Sequence, residues 1–316
     1  MKETEAPSYK DLFVRAGRRM AKQVWDRVPS NWKLEAARLA INTTDYSNGN
    51  STPEAQGKAE QDPEVLLQQK LSELRLVRDR LPETVVIIPD GNRREGKNLG
   101  ISDEEAHDLG ARMLYDSLRV FEEFTEVKNV ILWAWSEDNE TGRPNQKAGV
   151  FRVLTKNLRE LTPDLHRKKA RIKRAGRVGR LRTDIHGNPL PDGDALIQEI
   201  ERSEGVTKDN DGVNIILAID YGERYERRRY SEELKRCSID PDFASDEELE
   251  AVQDRSREIP IPDLVVRTSG EKRLSRFPFS NAAELVFIDT NLPAIQPFQI
   301  AQALKEYTDR DRRGGR

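Results

Sequence analysis

The chain has 316 residues, 36% of them hydrophobic and 34% charged, which suffices for one large α/β domain with an extension or for two modest domains. Its 53 lysines and arginines nearly balance its 56 aspartates and glutamates, so the composition gives no electrostatic case for binding nucleic acid. A single cysteine, Cys237, excludes an intramolecular disulfide, and the lack of a bilayer-spanning apolar run or a signal-peptide core leads us to expect a soluble, cytoplasmic protein.

Residues 1–62 are predicted to form an extension that precedes the main domain at 63–316. Within the extension, residues 8–40 carry apolar side chains at helical spacing among many basic ones, which predicts a basic helix. This helix would contact a membrane surface, or it would pack on the main domain or a partner. Residues 43–62 are rich in turn formers and poor in large apolar groups, so we expect a flexible linker there.

A helix is predicted at about 63–80, and six short apolar or β-branched runs follow it. They are TVVII at 84–88, NVILWAW at 129–135, ARIKRA at 170–175, VNIILAI at 213–219, DLVV at 263–266 and ELVFI at 284–288. Most of the intervals between the runs are long enough to contain helices. Apolar runs joined by helical crossovers indicate an α/β fold, here a single domain with a central, mainly parallel six-stranded sheet flanked by helices.

Polar side chains follow four of the six runs at the point where each run ends. The segments are Asp90–Arg94 after the first run, Ser136–Asn139 after the second, Asp220–Arg224 after the fourth and Arg267–Gly270 after the fifth. In open parallel sheets, ligands bind beyond the carboxyl ends of the strands. We therefore expect these four segments to build one composite polar site.

The side chains at this edge suit phosphate chemistry. Guanidinium groups match the geometry of phosphate oxygens, and four are available: Arg94, Arg143, Arg267 and Arg273. Asp90 and Glu284 supply hard oxygen ligands for a Mg²⁺ ion shared with substrate phosphates. Gly91 allows a close backbone approach, with the following amides forming an anion nest. The site is predicted to perform magnesium-assisted diphosphate chemistry.

Each of these elements is weak by itself, and their recurrence at successive strand ends carries the prediction. An isolated Asp-Gly-Asn is usually a turn, and a lone arginine is usually a solvated side chain. The common nucleotide-binding loops and the nucleophile elbow of serine hydrolases are absent from the sequence. Its three histidines have no zinc-site spacing.

Five segments, in the right order, resemble the signatures of the cis-prenyltransferases, the undecaprenyl diphosphate synthase family. They are TVVIIPDGNRREGKNLG, WAWSEDNETGRP, NIILAIDYGER, PDLVVRTSGEKRLSRF and ELVFIDTNLP. The resemblance covers about residues 65–308, and its fourth segment is the most diagnostic. It implies a transferase of prenyl groups, of the polyprenyl diphosphate synthase type, that condenses isopentenyl diphosphate with an allylic prenyl diphosphate.

The resemblance also implies a homodimer and a hydrophobic tunnel. The tunnel would lie between the sheet and the helices that follow the first and second strands. The predicted helix at 104–124 would form one wall. Its available apolar side chains are Leu109, Met113, Leu114, Leu118 and Phe121.

Roles carry over from the family to matching positions of this sequence. Asp90 and Asn92 are implied to be catalytic, with Asp90 and Glu284 binding Mg²⁺ and Asn92 helping to remove a proton from isopentenyl diphosphate. The implied substrate-binding residues are Gly91, Arg93, Arg94, His107, Ser136, Asn139, Arg143, Arg267, Arg273 and Ser275. Of these, Arg267, Arg273 and Ser275 would bind isopentenyl diphosphate, while the first signature and His107 would hold the allylic diphosphate.

Several positions differ from the usual pattern of the family. Glu95 replaces an aromatic residue, and Asp103 stands where an arginine is common. The second signature lacks its tryptophan and has Glu140, and the third has Asp220 and Glu223 in place of asparagine and glycine. These changes indicate an archaeal-type or specialised member rather than a standard bacterial enzyme.

Two alternatives keep the fold and change the function. One is a specialised reaction, such as head-to-middle condensation or a terpene-synthase-like outcome. The other is a non-catalytic subunit that stabilises an active prenyltransferase. Such subunits lose residues of the first signature, so the presence of Asp90, Asn92, Arg267 and Glu284 argues against the second alternative.

Overall fold

A computed structural model describes residues 62–278 and 283–311 of the chain. The basic helix predicted at 8–40 lies outside the described residues, as does all but the last residue of the linker predicted at 43–62. The division of the chain near residue 62 stays a prediction.

All six predicted runs form strands of one sheet. They are β1 Thr84–Ile88, β2 Asn129–Ser136, β3 Arg171–Ala175, β4 Asn214–Tyr221, β5 Leu264–Arg267 and β6 Glu284–Phe287. The strand order is β3-β4-β2-β1-β5-β6, and every neighbouring pair is parallel. The predicted α/β class with a central six-stranded sheet is confirmed. Because all the strands point the same way, the polar segments that follow them share one edge.

Helices cover both faces of the sheet. They are α1 Pro63–Arg75, α2 Asn92–Leu99, α3 Asp103–Ser117, α4 Arg119–Glu122, α5 Asn139–Gly142, α6 Lys147–Arg167, α7 Pro191–Thr207, α8 Glu223–Arg236, α9 Asp246–Ser256 and α10 Pro297–Asp309. Short 3-10 turns occupy Arg78–Arg80, Pro144–Gln146, Gly179–Arg182 and Leu292–Ala294. The predicted helix at 63–80 therefore ends at Arg75 before a 3-10 turn, and the one predicted at 104–124 is divided between α3 and α4.

Local capping fixes where α3 begins. The Ser102 hydroxyl accepts a hydrogen bond from the Glu105 backbone N–H, and the Glu105 carboxylate accepts one from the Ser102 N–H. This reciprocal box satisfies two amide donors that the first turn would leave open, and loss of such a cap costs about 1 kcal/mol. It sets the start of the helix that carries His107.

The core has two layers because successive side chains of each strand point to opposite faces. The larger layer packs α1, α3, α6, α7 and α10 against one face of the sheet. On the other face, α8 and the segment around Phe277 cover a smaller, partly aromatic cluster. Within the described part of the chain, no helix is long and apolar enough to cross a membrane.

Helices α3 and α6 lie side by side and run in the same direction. Three ion pairs, each between residues 48 positions apart, join them: Glu104–Arg152, Asp108–Lys156 and Arg112–Glu160. Partly exposed pairs of this kind contribute little energy individually. Their constant spacing shows that the two helices advance in register, so together they form a continuous wall over the sheet.

Candidate active site

Asp90 lies at the carboxyl end of β1, and its carboxylate is fixed by two donors. Arg267 Nη2 donates to Oδ2 at 2.8 Å, and the Gly91 N–H donates to Oδ1 at 2.7 Å. The Asp90 backbone N–H donates to the Thr268 hydroxyl, also at 2.8 Å. The segments after β1 and β5 are thereby joined, as the pairing of Ile88 with Arg267 in the two strands requires.

The Asp90 carboxylate stays ionised at neutral pH. Burial by itself would raise the pKa of Asp90. The hydrogen bonds from Arg267 and the Gly91 N–H, with the nearby charge of Arg94, outweigh that effect and hold the pKa below its ordinary value. An ionised, partly exposed carboxylate at the end of a strand is suited to binding a hard cation.

Arg267 is the buried centre of the segment after β5. Its side chain is 5% exposed, and Nη1 donates to the Ser275 hydroxyl at 2.9 Å and to the Arg273 carbonyl. Its Nε is buried and has no hydrogen-bond partner among the described residues. A buried guanidinium N–H without an acceptor is costly, so this donor suits an anionic ligand that completes its hydrogen bonding.

Two more arginines at this edge, Arg94 and Arg273, form ion pairs with the same carboxylate, that of Glu271. Arg94 Nη2 lies 3.0 Å from Glu271 Oε1, and Arg94 Nη1 donates to the Ser269 carbonyl at 3.1 Å. Arg273 forms an ion pair with the other oxygen of Glu271. Both arginine side chains are about half exposed or more, at 49% and 65%. An incoming diphosphate would therefore compete with Glu271 for two accessible cations.

The segment after β2 supplies Ser136, Asn139 and Arg143. The Asn139 backbone N–H donates to the Ser136 hydroxyl at 3.2 Å, which closes a tight turn into α5. Arg143 is exposed and has no side-chain partner among the described residues. Its guanidinium is free to bind a ligand.

A buried ion pair anchors this segment from below. Lys147 Nζ lies 2.7 Å from Glu140 Oε2, and the indole N–H of Trp135 donates to the other Glu140 oxygen at 2.7 Å. Lys147 also donates to the carbonyls of Arg180 and Thr183. Glu140, which replaces the usual tryptophan of the family, thus has a specific structural partner in this chain.

His107 faces the same site from α3. Its Nδ1 lies 2.5 Å from the Asp103 carbonyl, which only accepts hydrogen bonds, so Nδ1 carries the proton and Nε2 is left for a ligand. Burial lowers the pKa of His107 below its ordinary value, although the bond to Asp103 opposes the shift. Arg93 Nε lies 3.1 Å from the Asp103 carboxylate, so this residue orients both side chains.

Asn92 is held against α3 by close packing. It is the first residue of α2, and its Oδ1 is buried without a partner in the described structure. A Cβ on Gly110 of α3 would lie 2.1 Å from that oxygen. Only glycine leaves room for the Asn92 side chain at this point.

These residues line one cavity of about 510 Å³. Its polar end contains all the predicted catalytic and substrate-binding residues: Asp90, Gly91, Asn92, Arg93, Arg94, His107, Ser136, Asn139, Arg143, Arg267, Arg273 and Ser275. The remaining wall is apolar and is formed by the sheet, α3 and α6. Leu114 and Leu118 line it as predicted, whereas Leu109, Met113 and Phe121 are buried in the core and do not line the cavity.

Glu284 is placed elsewhere in this chain. It is the first residue of β6 and pairs with Leu264, while Phe287 pairs with Arg267. Glu284 is thus about 10 Å along the strand from the edge that carries Asp90. Its carboxylate lies 2.5 Å from Arg310 Nη1. Within one chain, Asp90 and Glu284 do not meet, contrary to the expectation that they share a metal ion. Glu284 begins its strand, whereas the site lies beyond the ends of the strands.

The cavity is also lined by charged and amide side chains that the sequence did not single out, among them Lys97, Gln146, Glu271 and Asn157. Lys97 lies one helical turn after Arg93, so helical spacing could have predicted it. Glu271 lies inside the fourth signature segment. Asn157 offers no signal, since it interrupts an otherwise apolar face of α6.

The chain matches known proteins over most of its length. A family model described as "putative undecaprenyl diphosphate synthase" matches residues 88–315. A tritrans,polycis-undecaprenyl-diphosphate synthase (geranylgeranyl-diphosphate specific) from Pyrobaculum aerophilum is 31% identical over 242 residues, covering 75% of this chain and 97% of the relative. An isoprenyl transferase from Brucella suis is 31% identical over 240 residues, covering 74% and 89%.

Two solved structures are also similar. One is lavandulyl diphosphate synthase from Lavandula x intermedia in complex with dimethylallyl diphosphate, with a TM-score of 0.64 and 25% identity over 75% of this chain and 100% of that chain. The other is a probable undecaprenyl diphosphate synthase from Campylobacter jejuni, with a TM-score of 0.57 and 22% identity over 74% and 99%. The second likeness is one of fold.

Proposed function

The chain belongs to the undecaprenyl diphosphate synthase family of prenyltransferases, and we propose on that basis that it condenses isopentenyl diphosphate with an allylic prenyl diphosphate as a cis-prenyltransferase. The observation that carries the proposal is the cavity. It joins an arginine-rich, polar end to a long apolar wall, which suits substrates with an anionic head and a hydrocarbon tail.

We assign the two diphosphates to the segments after β1 and β5, which the contact between Asp90 and Arg267 joins. Gly91, Asn92 and Arg94 at the start of α2 would bind the allylic diphosphate through backbone amides and a guanidinium. Arg267 and Arg273 would bind the isopentenyl diphosphate with the Ser275 hydroxyl. The direct contact between Asp90 and Arg267 supports a short distance between the two heads.

The reaction then depends on positioning and charge. The isopentenyl double bond attacks the first allylic carbon, the bond from that carbon to oxygen breaks, and the diphosphate leaves with the electron pair. A proton then passes from the isopentenyl unit to the departing diphosphate, which leaves the new double bond, and the Asn92 amide would orient this transfer. The arginines offset the charge that develops on the leaving diphosphate, and the cavity aligns the reacting carbons.

We further propose that Mg²⁺ assists the reaction, held by Asp90 and by phosphate oxygens of the substrate. The donor set fits, because Mg²⁺ is commonly bound by one or two carboxylates together with substrate phosphates, and Asp90 is ionised and partly exposed. When bound, the ion would stabilise the leaving diphosphate. Among the described residues, no group of three or more His, Cys, Asp or Glu side chains could hold a metal. Activity lost with a chelator and restored by Mg²⁺ would support this assignment.

A second candidate function is the condensation of short units by a specialised reaction. The similarity to lavandulyl diphosphate synthase bound to dimethylallyl diphosphate favours testing it. The presence of Asp90, Asn92 and Arg267 at the polar end of the cavity supports an active enzyme rather than a non-catalytic subunit.

The deciding experiment uses the purified full chain with Mg²⁺, labelled isopentenyl diphosphate and allylic primers of several lengths. We expect incorporation of label into a longer, regularly joined prenyl diphosphate, with the Asp90→Ala variant as the inactive control. An irregularly joined product from dimethylallyl diphosphate would favour the second candidate. Absence of incorporation with every primer would contradict both.

We also propose a homodimer in the cytoplasm whose extension, residues 1–62, contacts membrane surfaces and whose catalytic domain is residues 63–316. The basic, amphipathic pattern of residues 8–40 supports the membrane contact. Light scattering tests the dimer, and co-sedimentation with anionic vesicles tests the membrane contact.

Deleting residues 1–60 should leave an active catalytic domain and weaken vesicle binding in a salt-dependent way. Unchanged vesicle binding with a lower melting temperature would indicate instead that the extension packs on the protein.

A further inference from the structure

Asn291 connects the two substrate-binding segments through its side-chain amide. It lies after β6, next to the 3-10 turn Leu292–Ala294. Its Nδ2 donates to Glu95 Oε2 at 2.9 Å, and its Oδ1 accepts from the Ser269 hydroxyl at 2.9 Å. Glu95 belongs to α2, which follows β1, whereas Ser269 belongs to the segment after β5. One side chain thus bridges the segments assigned to the two diphosphates.

The backbone around Asp90 packs on the same residue. Gly91 has a φ of 98°, and a Cβ there would lie 2.4 Å from Asn291 Oδ1 and 2.9 Å from Asn291 Cα. The Leu292 N–H donates to the Asp90 carbonyl at 2.9 Å. Gly91 and the proposed metal ligand Asp90 therefore pack directly on Asn291 and Leu292.

Ser269 depends on this contact because its backbone conformation is unfavourable. Its φ is 78°, in the left-handed region that non-glycine residues seldom adopt. Its carbonyl accepts from Arg94, and its N–H donates to the Thr290 carbonyl at 2.8 Å. The bond from its hydroxyl to Asn291 adds a further restraint, which keeps the carbonyl directed at Arg94.

Glu95 determines which way the Asn291 amide points. It is 7% exposed, and its carboxylate accepts from Asn98 Nδ2 at 3.2 Å as well as from Asn291. It has no ion pair among the described residues, so its charge relies on amide donors. A carboxylate only accepts hydrogen bonds, so Nδ2 of Asn291 must face it, and Oδ1 is then left for Ser269.

We propose that Asn291 is a positioning residue that holds the two diphosphate-binding segments in one fixed geometry, with Glu95 setting its orientation. The inference rests on the proposed prenyl transfer, which assigns the segments to the two substrates. It also gives a physical role to Glu95, where the family usually has an aromatic residue. Neither side chain lines the cavity, so the effect is transmitted through Gly91, Asp90 and Ser269.

Exchanging the amide of Asn291 and the carboxylate of Glu95 tests whether their hydrogen bond holds the two segments in place. Asn291→Asp places two carboxylates together and should raise the KM of both substrates about tenfold or more, as expected for a lost hydrogen bond to a charged group. The pair Glu95→Gln with Asn291→Asp restores one amide and one carboxylate, and should return both constants to within about threefold of the original. Asn98→Asp is the matched control, since it also places a carboxylate beside Glu95 but does not reach Ser269. It should change the constants less than about threefold.

Three outcomes would overturn the inference: an Asn291→Asp variant as active as Asn98→Asp, no recovery in the exchanged pair, or a change in the KM of one substrate alone. Ser269→Ala removes the bridge without adding charge and replaces Asn291→Asp if that variant does not fold. The affinity of each variant for inorganic diphosphate, measured by calorimetry, should rank the variants in the same order as their KM values do. If the unaltered chain transfers no prenyl group, the proposed function fails, and the binding series still decides whether Asn291 positions the site.

Discussion

Replacing Gly110 with alanine should reduce activity without reducing stability. The new Cβ would lie 2.1 Å from Asn92 Oδ1, 3.2 Å from Asn92 Cγ and 3.1 Å from Leu292 Cδ2. Relief of the contact with Oδ1 requires the Asn92 amide to move by about 1.4 Å, since ordinary contacts between heavy atoms lie near 3.5 Å. A displacement of about 1 Å at a reacting group can cost about 100-fold in rate.

The same change should favour the helix itself. Alanine is about 0.5–1 kcal/mol better than glycine in a helix interior, and Gly110 lies within α3. We therefore expect Gly110→Ala to keep its melting temperature within a few degrees while kcat falls about 10- to 100-fold. Initial rates with labelled isopentenyl diphosphate and a thermal melt would measure the two effects separately.

Gly205→Ala is the matched control, because a Cβ at Gly205 of α7 meets nothing within 4 Å. It carries the same gain in helix propensity and should leave the rate unchanged. In a chain that already has Asn92→Ala, the Gly110→Ala change should have no further effect on the rate. Full activity of Gly110→Ala, or an additive loss in the double variant, would refute the role given to the packing of Asn92.

Four other outcomes are expected. Asp90→Ala should lower kcat by several orders of magnitude with the fold intact, as checked by circular dichroism, because it removes the carboxylate proposed to bind Mg²⁺. Arg273→Ala should raise the KM of isopentenyl diphosphate about 10- to 150-fold; a raised KM for the allylic substrate alone would show that the two sites are exchanged. Arg267→Ala removes a group that lowers the pKa of Asp90, so the acidic limb of the rate–pH profile should move to higher pH, a shift absent from Arg273→Ala. Lys147→Met should lower the free energy of unfolding by about 3–5 kcal/mol, measured by urea denaturation, because it leaves the buried Glu140 carboxylate without its cation.

The sheet and most of the site could be predicted because both follow from local patterns. Each strand is a continuous apolar run, as expected for strands covered on both faces, and the run TVVII is buried at every position. Parallel strands bring their carboxyl ends to one edge, so the residues after β1, β2 and β5 meet there and line the cavity. The fourth predicted segment, Asp220–Arg224, does not line it, and the buried Asp220 carboxylate accepts hydrogen bonds from Arg177 and Arg180 instead. The family signatures then supplied the individual roles.

The position of Glu284 relative to Asp90 could not be predicted from its residue type or from its place in a signature segment. Glu284 is the first residue of the fifth signature segment, but it also begins β6, and the first residue of a parallel strand lies at the opposite end from the edge where the strands finish. The direction and register of β6 decide this, and neither is contained in the local pattern.

The tunnel wall was only partly predictable because α3 is apolar on more than one side. One side faces the cavity through Leu114, followed by Leu118 just beyond the helix, and another packs in the core through Leu109 and Met113. Helical spacing predicts that both sets are buried but does not separate them. The hydrogen bond from Asn291 to Glu95 could not be predicted for another reason. It joins residues 196 positions apart, and no local sequence pattern pairs them.

The buried pair of Glu140 and Lys147 limits how this sequence can change over time. Replacing Glu140 alone by the family's usual tryptophan would leave an ammonium enclosed by the carbonyls of Arg180 and Thr183, with no counter-charge. Replacing Lys147 alone would leave a buried carboxylate with the Trp135 indole as its remaining donor. Each single step is destabilising, so the two positions should be inherited together. Among relatives of this chain, a lysine at the position of Lys147 should accompany an acidic residue at the position of Glu140 and disappear where tryptophan is present.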